Sequence, residues 1–212
     1  LYTLYYYPRN ANLAPHYLLR YMDLDYQLEL VDRKSNAQKS AAYMKLNPSG
    51  RIPTLVDDDL VLFESPAICI YLCEQHPEHG LIPPIGDKQR PLFFQWLAYL
   101  NNTLQTELLL FHYPQRHTTD SQGADSIVAA QHTRLADILA VIDDQLGMNA
   151  YLIGDKITAC DFFLFMLVGW AMPMNKSPLA FSHLADYLQR IAQIPSVREV
   201  AEIEGVDLSA FD

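Results

Sequence analysis

Two short stretches carry residue types that could bind and orient a small molecule. The first runs Asn47-Pro48-Ser49-Gly50-Arg51-Ile52-Pro53-Thr54-Leu55, and the second Phe63-Glu64-Ser65-Pro66-Ala67-Ile68. Asn-Pro-x-Gly is a turn signal, because Pro fixes φ and Gly admits positive φ; the apolar run from Ile52 to Val56 then reads as a buried strand. Pro53 cannot donate to a ladder, so it belongs at the strand's mouth, a reasonable place for a cis Ile-Pro bond. A cis bond would turn the Ile52 N–H and C=O outward as an unpaired edge, to which an extended peptide could add itself as a strand. At Glu64-Ser65-Pro66 the pattern changes from strand to helix, with Ser65 as N-cap and Pro66 at the first helical position. The N–H groups of such a helix start hold a carboxylate, with the Ser65 hydroxyl as a further donor, while Glu64 offers the opposite charge to a neighbouring ammonium. The two stretches together describe a pocket for a small peptide with a free amino-acid head.

The same residues carry a resemblance. Asn-Pro-x-Gly-x-Ile-Pro-x-Leu followed by Leu-x-Glu-Ser-x-Ala-Ile-x-x-Tyr-Leu, here Leu62 to Leu72, resembles the glutathione-binding half of the cytosolic glutathione transferase superfamily, bacterial members included. The resemblance implies that Arg51, Ile52 and Pro53 meet the cysteinyl part of glutathione and that Glu64 and Ser65 hold its γ-glutamyl end. It also implies glutathione as co-substrate, no metal, attack of its thiolate on small hydrophobic electrophiles, and a homodimer. A second motif, Gly154-Asp155-Lys156-Ile157-Thr158-Ala159-Cys160-Asp161, resembles the signature of the family's second domain. It reads as a helix cap, with Thr158 at N-cap and Asp161 reaching back from N3, and is a folding element rather than a catalytic one.

A free thiol of this kind has a pKa of roughly 8.5, so little of it is thiolate at neutral pH. Each unit of lowering needs about 1.4 kcal/mol of preferential thiolate stabilisation, within reach of one or two charge-assisted hydrogen bonds in a dry pocket. The family places the donor at the end of the first strand or in the loop after it. Tyr6, two residues before Pro8, stands where the tyrosine-type classes have theirs. In the cysteine-type pattern Pro-Gly-Ala-Cys-Ser-Leu-Ala, this chain reads Pro8-Arg9-Asn10-Ala11-Asn12-Leu13-Ala14. Ala11 therefore replaces the cysteine, which excludes a mixed disulfide there, and Asn12 replaces the serine. Asn12, donating from a helix start, is the first candidate for the thiol and Tyr6 the second; a plain N-cap and a core strand aromatic are their structural alternatives. Phe111, His112, Tyr113 and Trp170 could line the electrophile pocket or pack the interior. The alternative function is a glutathione-binding or protein-interaction module of the same fold without transferase chemistry.

These residues need elements to position them. Residues 1 to 7 are rich in aromatics and read as a strand closed by Pro8; Leu13, Tyr17, Leu18 and Met22 suggest a helix; Tyr26, Leu28 and Leu30 alternate with polar residues as a half-buried strand. Residues 35 to 46 have helical potential, strands follow at 54–56 and 60–63 around Asp57-Asp58-Asp59, and a helix runs from Ser65 to about His76. The order β-α-β-α-β-β-α matches a thioredoxin-like domain over 1–77, without the redox Cys-x-x-Cys. Residues 78–88 lie in a proline- and glycine-rich linker, and 89–212 reads as an all-helical bundle domain. Ile127, Leu135, Ile138, Leu139, Ile142 and Leu146 form one helical stripe, and the Phe162 to Met172 run, apolar all round, belongs at the bundle's centre.

With 212 residues, half of them apolar, the chain can build one or two domains with a proper core. The net charge of −10 argues against nucleic acid as a partner. No apolar stretch reaches a membrane span and no export signal opens the sequence, so the expected location is the cytoplasm. Cys69, Cys73 and Cys160 lack metal-ligand spacing and read as buried thiols.

Overall fold

The computed structural model describes residues 1–212, which divide into two compact units, one comprising 1–82 with 192–210 and 212, and the other 83–191 with 211.

The first unit is built on a four-stranded sheet, β1 (Tyr2–Tyr6), β2 (Tyr26–Leu30), β3 (Thr54–Asp57) and β4 (Leu60–Phe63), in the order β2-β1-β3-β4. β1 is parallel to β2 and antiparallel to β3, and β3 is antiparallel to β4. The register lines Leu28, Leu4, Leu55 and Leu62 across one face, where Leu4 and Leu55 are fully buried. Alternation sends the neighbouring positions to the other face. There Tyr5 pairs with Thr54, the Tyr43 ring leans on Tyr5, and the Tyr43 hydroxyl meets the Thr54 hydroxyl at 2.9 Å. Helices α1 (Leu13–Tyr21) and α2 (Ser65–Gln75) pack on one another, and α8 (Pro195–Glu204) packs on α1.

The helix expected over 35–46 is replaced by two single 3₁₀ turns, Ala37–Lys39 and Tyr43–Lys45. Asn36 adopts a left-handed conformation before the first and Ser40 an extended one after it, so no helix propagates between them. The sheet and its order otherwise match the thioredoxin-like pattern.

In the second unit a continuous helical run passes from α3 (Arg90–Ala98) through a π-helical segment, Tyr99–Gln105, into α4 (Thr106–His112). It is followed by α5 (Gly123–Leu146), α6 (Ala159–Ala171) and α7 (Ser182–Ala192). α6 is buried without a break from Ala159 to Val168, as its all-round apolar character requires, and α5 buries Leu135, Ile138, Leu139, Ile142 and Leu146. Thr158 and Asp161 form a reciprocal capping box at the start of α6. No helix is long and apolar enough to cross a membrane.

Candidate functional site

The two stretches singled out by their chemistry meet at one edge of the first unit. Thr54 at the start of β3 pairs with Phe63 at the end of β4, so the chain enters the hairpin from Ile52–Pro53 and leaves it through Glu64 into α2 at the same end. The Ile52–Pro53 bond is cis. Asn47, almost fully buried, shapes the approach. Its amide nitrogen donates to the carbonyls of Arg51 at 2.9 Å and Pro53 at 3.4 Å, and its oxygen accepts from the backbone N–H and hydroxyl of Ser49. Tyr43 adds a hydroxyl bond to the Arg51 carbonyl at 2.7 Å. Carbonyls on both sides of Ile52 are thus held, while its own N–H and C=O are taken up by no turn bond. The turn itself needs Gly50: φ is +59°, and a Cβ there would come within 2.6 Å of Lys39 Nζ. The Arg51 side chain is exposed at the mouth.

Across from it, Glu64 is exposed and sits at φ 72°, ψ 111°, outside the conformations a non-glycine residue ordinarily adopts. Such strain persists only where the surroundings fix it, here the switch from β4 into α2. Ser65 is not the N-cap that its sequence suggests. It is the first helical residue, Glu64 holds the cap position, and no side chain caps the turn. The Ser65 hydroxyl instead donates to the Ala11 carbonyl oxygen at 2.7 Å, which brings the start of α2 against the loop between β1 and α1.

That loop corrects the first catalytic expectation. Asn12 has no exposed surface, and its carboxamide is committed at both ends: Oδ1 accepts from the Tyr7 N–H at 3.2 Å, and Nδ2 donates to Glu204 Oε1 and Oε2 at 2.8 and 2.9 Å. The side chain is turned into this buried network and presents no surface to a ligand. Nor is it a side-chain cap, because Asn12 stands at the cap position of α1 with a helical backbone and no cap bond. Tyr6 ends β1, half-buried, and alternation places its ring on the face of the leucine row. Ala11, at the position of the family's cysteine, is almost buried.

Sequence reasoning missed Glu204 and His16. Both are buried; Glu204 also accepts from the Arg9 N–H at 3.0 Å and meets His16 Nδ1 at 2.6 Å, while His16 Nε2 lies 2.9 Å from the Tyr26 hydroxyl. The contacts to Glu204 join positions 188 to 195 residues apart, so no local pattern announces them. A polar residue in a heptad-like apolar stripe is the only trace, and His16 within the buried side of α1 leaves it.

In the second unit, His112 Nε2 donates to the Trp170 carbonyl oxygen at 2.8 Å, bringing those two candidates together. Phe111 packs edge-on against His132 with ring centroids 5.1 Å apart. Tyr113 is covered by the Arg116 guanidinium at 4.0 Å, a cation–π contact. Phe111, Tyr113 and Trp170 are half-buried and His112 is exposed.

Comparison with known proteins agrees with this geometry. The model of the glutathione S-transferase N-terminal domain matches residues 2–74, and that of the C-terminal domain matches 95–195. Glutathione S-transferase GstA of Escherichia coli O157:H7 is 29% identical over 96% of this chain and 98% of its own. Among solved structures, a glutathione transferase from Methylococcus capsulatus superposes with a TM-score of 0.83 at 29% identity, covering 98% of this chain and 100% of that one. A sphingomonad glutathione S-transferase complexed with glutathione gives a TM-score of 0.83 at 27% identity over 97% of this chain and 100% of its own. With both domain models matched in order and relatives aligned nearly end to end, the chain belongs to the glutathione S-transferase family.

Proposed function

We propose that the first unit binds glutathione and that the protein conjugates its thiolate to small hydrophobic electrophiles. The observation that supports this reading is that β3, entered through the cis Ile52–Pro53 bond with no turn bond to Ile52, pairs with β4, which leads directly into α2 at Ser65. The cysteinyl backbone of glutathione adds to Ile52 as a strand, beside Pro53. The γ-glutamyl carboxylate rests on the N-terminus of α2 at Ser65, and its ammonium on Glu64. The glycyl carboxylate faces the exposed Arg51.

With Asn12 committed elsewhere, the sulfur takes its stabilisation from the N-terminus of α1, through the Ala11 N–H, and from the Tyr6 hydroxyl. The S–H proton leaves to solvent, the sulfur forms a bond to the electrophilic carbon, and with an aryl halide the halide departs with the bonding pair. Phe111, His112, Tyr113 and Trp170 are proposed to receive the hydrophobic electrophile. We further propose that the protein works as a cytoplasmic homodimer, with 1–77 as the glutathione-binding domain, 78–88 as linker and 89–212 as the helical domain.

Calorimetric titration with glutathione, together with conjugation of a generic aryl halide, tests the reading. Binding with turnover supports it. Binding without turnover favours the non-catalytic module, a reading that the alanine at position 11 and the committed Asn12 make specific. Absence of both removes glutathione.

A further inference from the structure

We propose that Glu204 is a positioning residue for the thiol chemistry: from the end of α8 it holds the loop Tyr7–Asn12 and the first turn of α1 in the arrangement that presents the Ala11 N–H and the Tyr6 hydroxyl to the glutathione sulfur. The inference rests on the transferase reading and adds to it a residue far from the sequence motifs.

The donors to this carboxylate all come from one short segment. The Arg9 N–H, the Asn12 amide nitrogen and His16 Nδ1 converge on the two oxygens of Glu204, whose side chain has 0% exposure. The Asn12 oxygen in turn holds the Tyr7 N–H. Pro8 has no N–H to give, so every backbone donor from Tyr7 to Arg9 is fixed directly by Glu204 or through Asn12.

Arg9 shows what the fixing does. Its φ is 61°, in the left-handed region, although it is not glycine. Such a conformation survives only where surrounding groups over-determine it: here the Asn10 N–H closes the turn onto the Tyr7 carbonyl at 3.2 Å, and the bond from the Arg9 N–H to Glu204 anchors that turn to α8.

The carboxylate also stands at an odd place for its own helix. Glu204 is the last residue of α8, where the helix dipole opposes a negative charge, yet it lies at the positive start of α1. Holding α8 on α1 does not require it. Val197, Val200 and Ala201 are buried along α8, and Arg20 pairs with Glu199 on the surface between the same helices. The buried acid therefore serves the loop.

The test is Glu204→Gln, which keeps size and burial but turns an amide N–H toward the Asn12 or Arg9 donors. For aryl halide conjugation we expect kcat to fall by roughly tenfold to a hundredfold, with the Kd for glutathione unchanged. The thiolate absorbance of bound glutathione should titrate at higher pH than in the parent. Electrostatics alone gives the opposite sign, since removing a buried negative charge near the sulfur would favour the thiolate.

Glu199→Ala, which cuts only the surface pair, should leave kcat and the thiol titration as they are. Parental kcat and titration in Glu204→Gln would overturn the proposal, and so would equal losses in both variants in step with stability. Should Glu204→Gln not fold, Asn12→Ala, which cuts one arm of the network, carries the same expected split, and parental behaviour there overturns it equally. Parent protein that neither binds glutathione nor turns over would sink the transferase reading itself, and the inference with it.

Discussion

The Ser65 hydroxyl donates to the Ala11 carbonyl oxygen at 2.7 Å, joining the helix start proposed for the γ-glutamyl end to the loop proposed for the sulfur. One side chain thus links the two places proposed for the ends of the substrate. Ser65→Ala should weaken glutathione binding by roughly tenfold or more, because it removes a polar partner and leaves a buried carbonyl unsatisfied at about 1–3 kcal/mol. Calorimetry with glutathione reads the affinity, and denaturant unfolding reads the stability. A variant with parental affinity would remove Ser65 from the site.

With the Asn12 amide turned toward Glu204, Tyr6 is the side chain proposed to meet the sulfur. Tyr6→Phe keeps the ring in the sheet and deletes only the hydroxyl. We expect kcat to fall by roughly tenfold or more, with glutathione affinity retained, as for loss of one donor to developing charge. Parental kcat would assign the thiolate to the α1 N-terminus alone.

The two stretches proposed to hold glutathione have a legible local structure. Asn47 to Leu55 and Phe63 to Ile68 each fold within themselves, and the hairpin between them lines up Thr54 with Phe63. The sheet was legible for the same reason: the aromatic run of β1 and the alternation in β2 mark the strands locally, and the all-apolar α6 states its burial residue by residue. The role of Asn12 was not, because its partner lies at position 204, and an asparagine before an apolar helix looks the same whether it caps, donates to a ligand or grips a distant carboxylate. Ser65 misled in the same way, its hydroxyl finding Ala11 across the fold instead of its own helix. The 35–46 segment failed on conformation: Asn36 takes a left-handed φ of 61°, which composition does not foretell. The π-helical segment at Tyr99–Gln105 was equally hidden, since helix propensity does not separate i→i+5 from i→i+4 bonding.

Burial sets how the protein responds to alkali. It pushes the Cys73 thiol up from 9.0 to about 12, with Glu74 adding to the effect, and burial likewise raises Tyr17 and Tyr187. The folded state keeps these protons where the unfolded chain loses them, so the folded state binds more protons and stability must fall as pH rises. The loss begins near the ordinary thiol value and grows by about 1.4 kcal/mol per pH unit for each such group until its folded value is passed. Urea midpoints measured from pH 7 to 11 should be level at first and then decline, and Cys73→Ala should make the decline shallower relative to its own neutral value. An unchanged slope in that variant would contradict the assignment. The same shift keeps Cys73 unreactive toward alkylating reagents in the native protein at neutral pH, so it does not compete with glutathione as a nucleophile.

Asp161 closes the start of α6 from inside the core. Its Oδ2 accepts from the Thr158 N–H at 2.7 Å and the Thr158 hydroxyl at 3.1 Å, and its Oδ1 from the Leu152 N–H at 3.0 Å and the Tyr187 hydroxyl at 2.8 Å. Asp161→Ala would strand donors from three residues at a fully buried position. Each unsatisfied group costs about 1–3 kcal/mol, so the total should reach roughly 3–5 kcal/mol, in the range that single substitutions seldom exceed. Asp161→Asn should fare little better, since its N–H groups would face donors. All of these partners lie in the second unit, whereas Ile52, Glu64 and Ser65 lie in the first. The expected signature is therefore a large fall in the unfolding midpoint, with the folded fraction still binding glutathione at parental affinity. A variant that keeps its stability would show that the box is dispensable. One that stays folded but loses glutathione would give Asp161 a part in binding that its contacts do not.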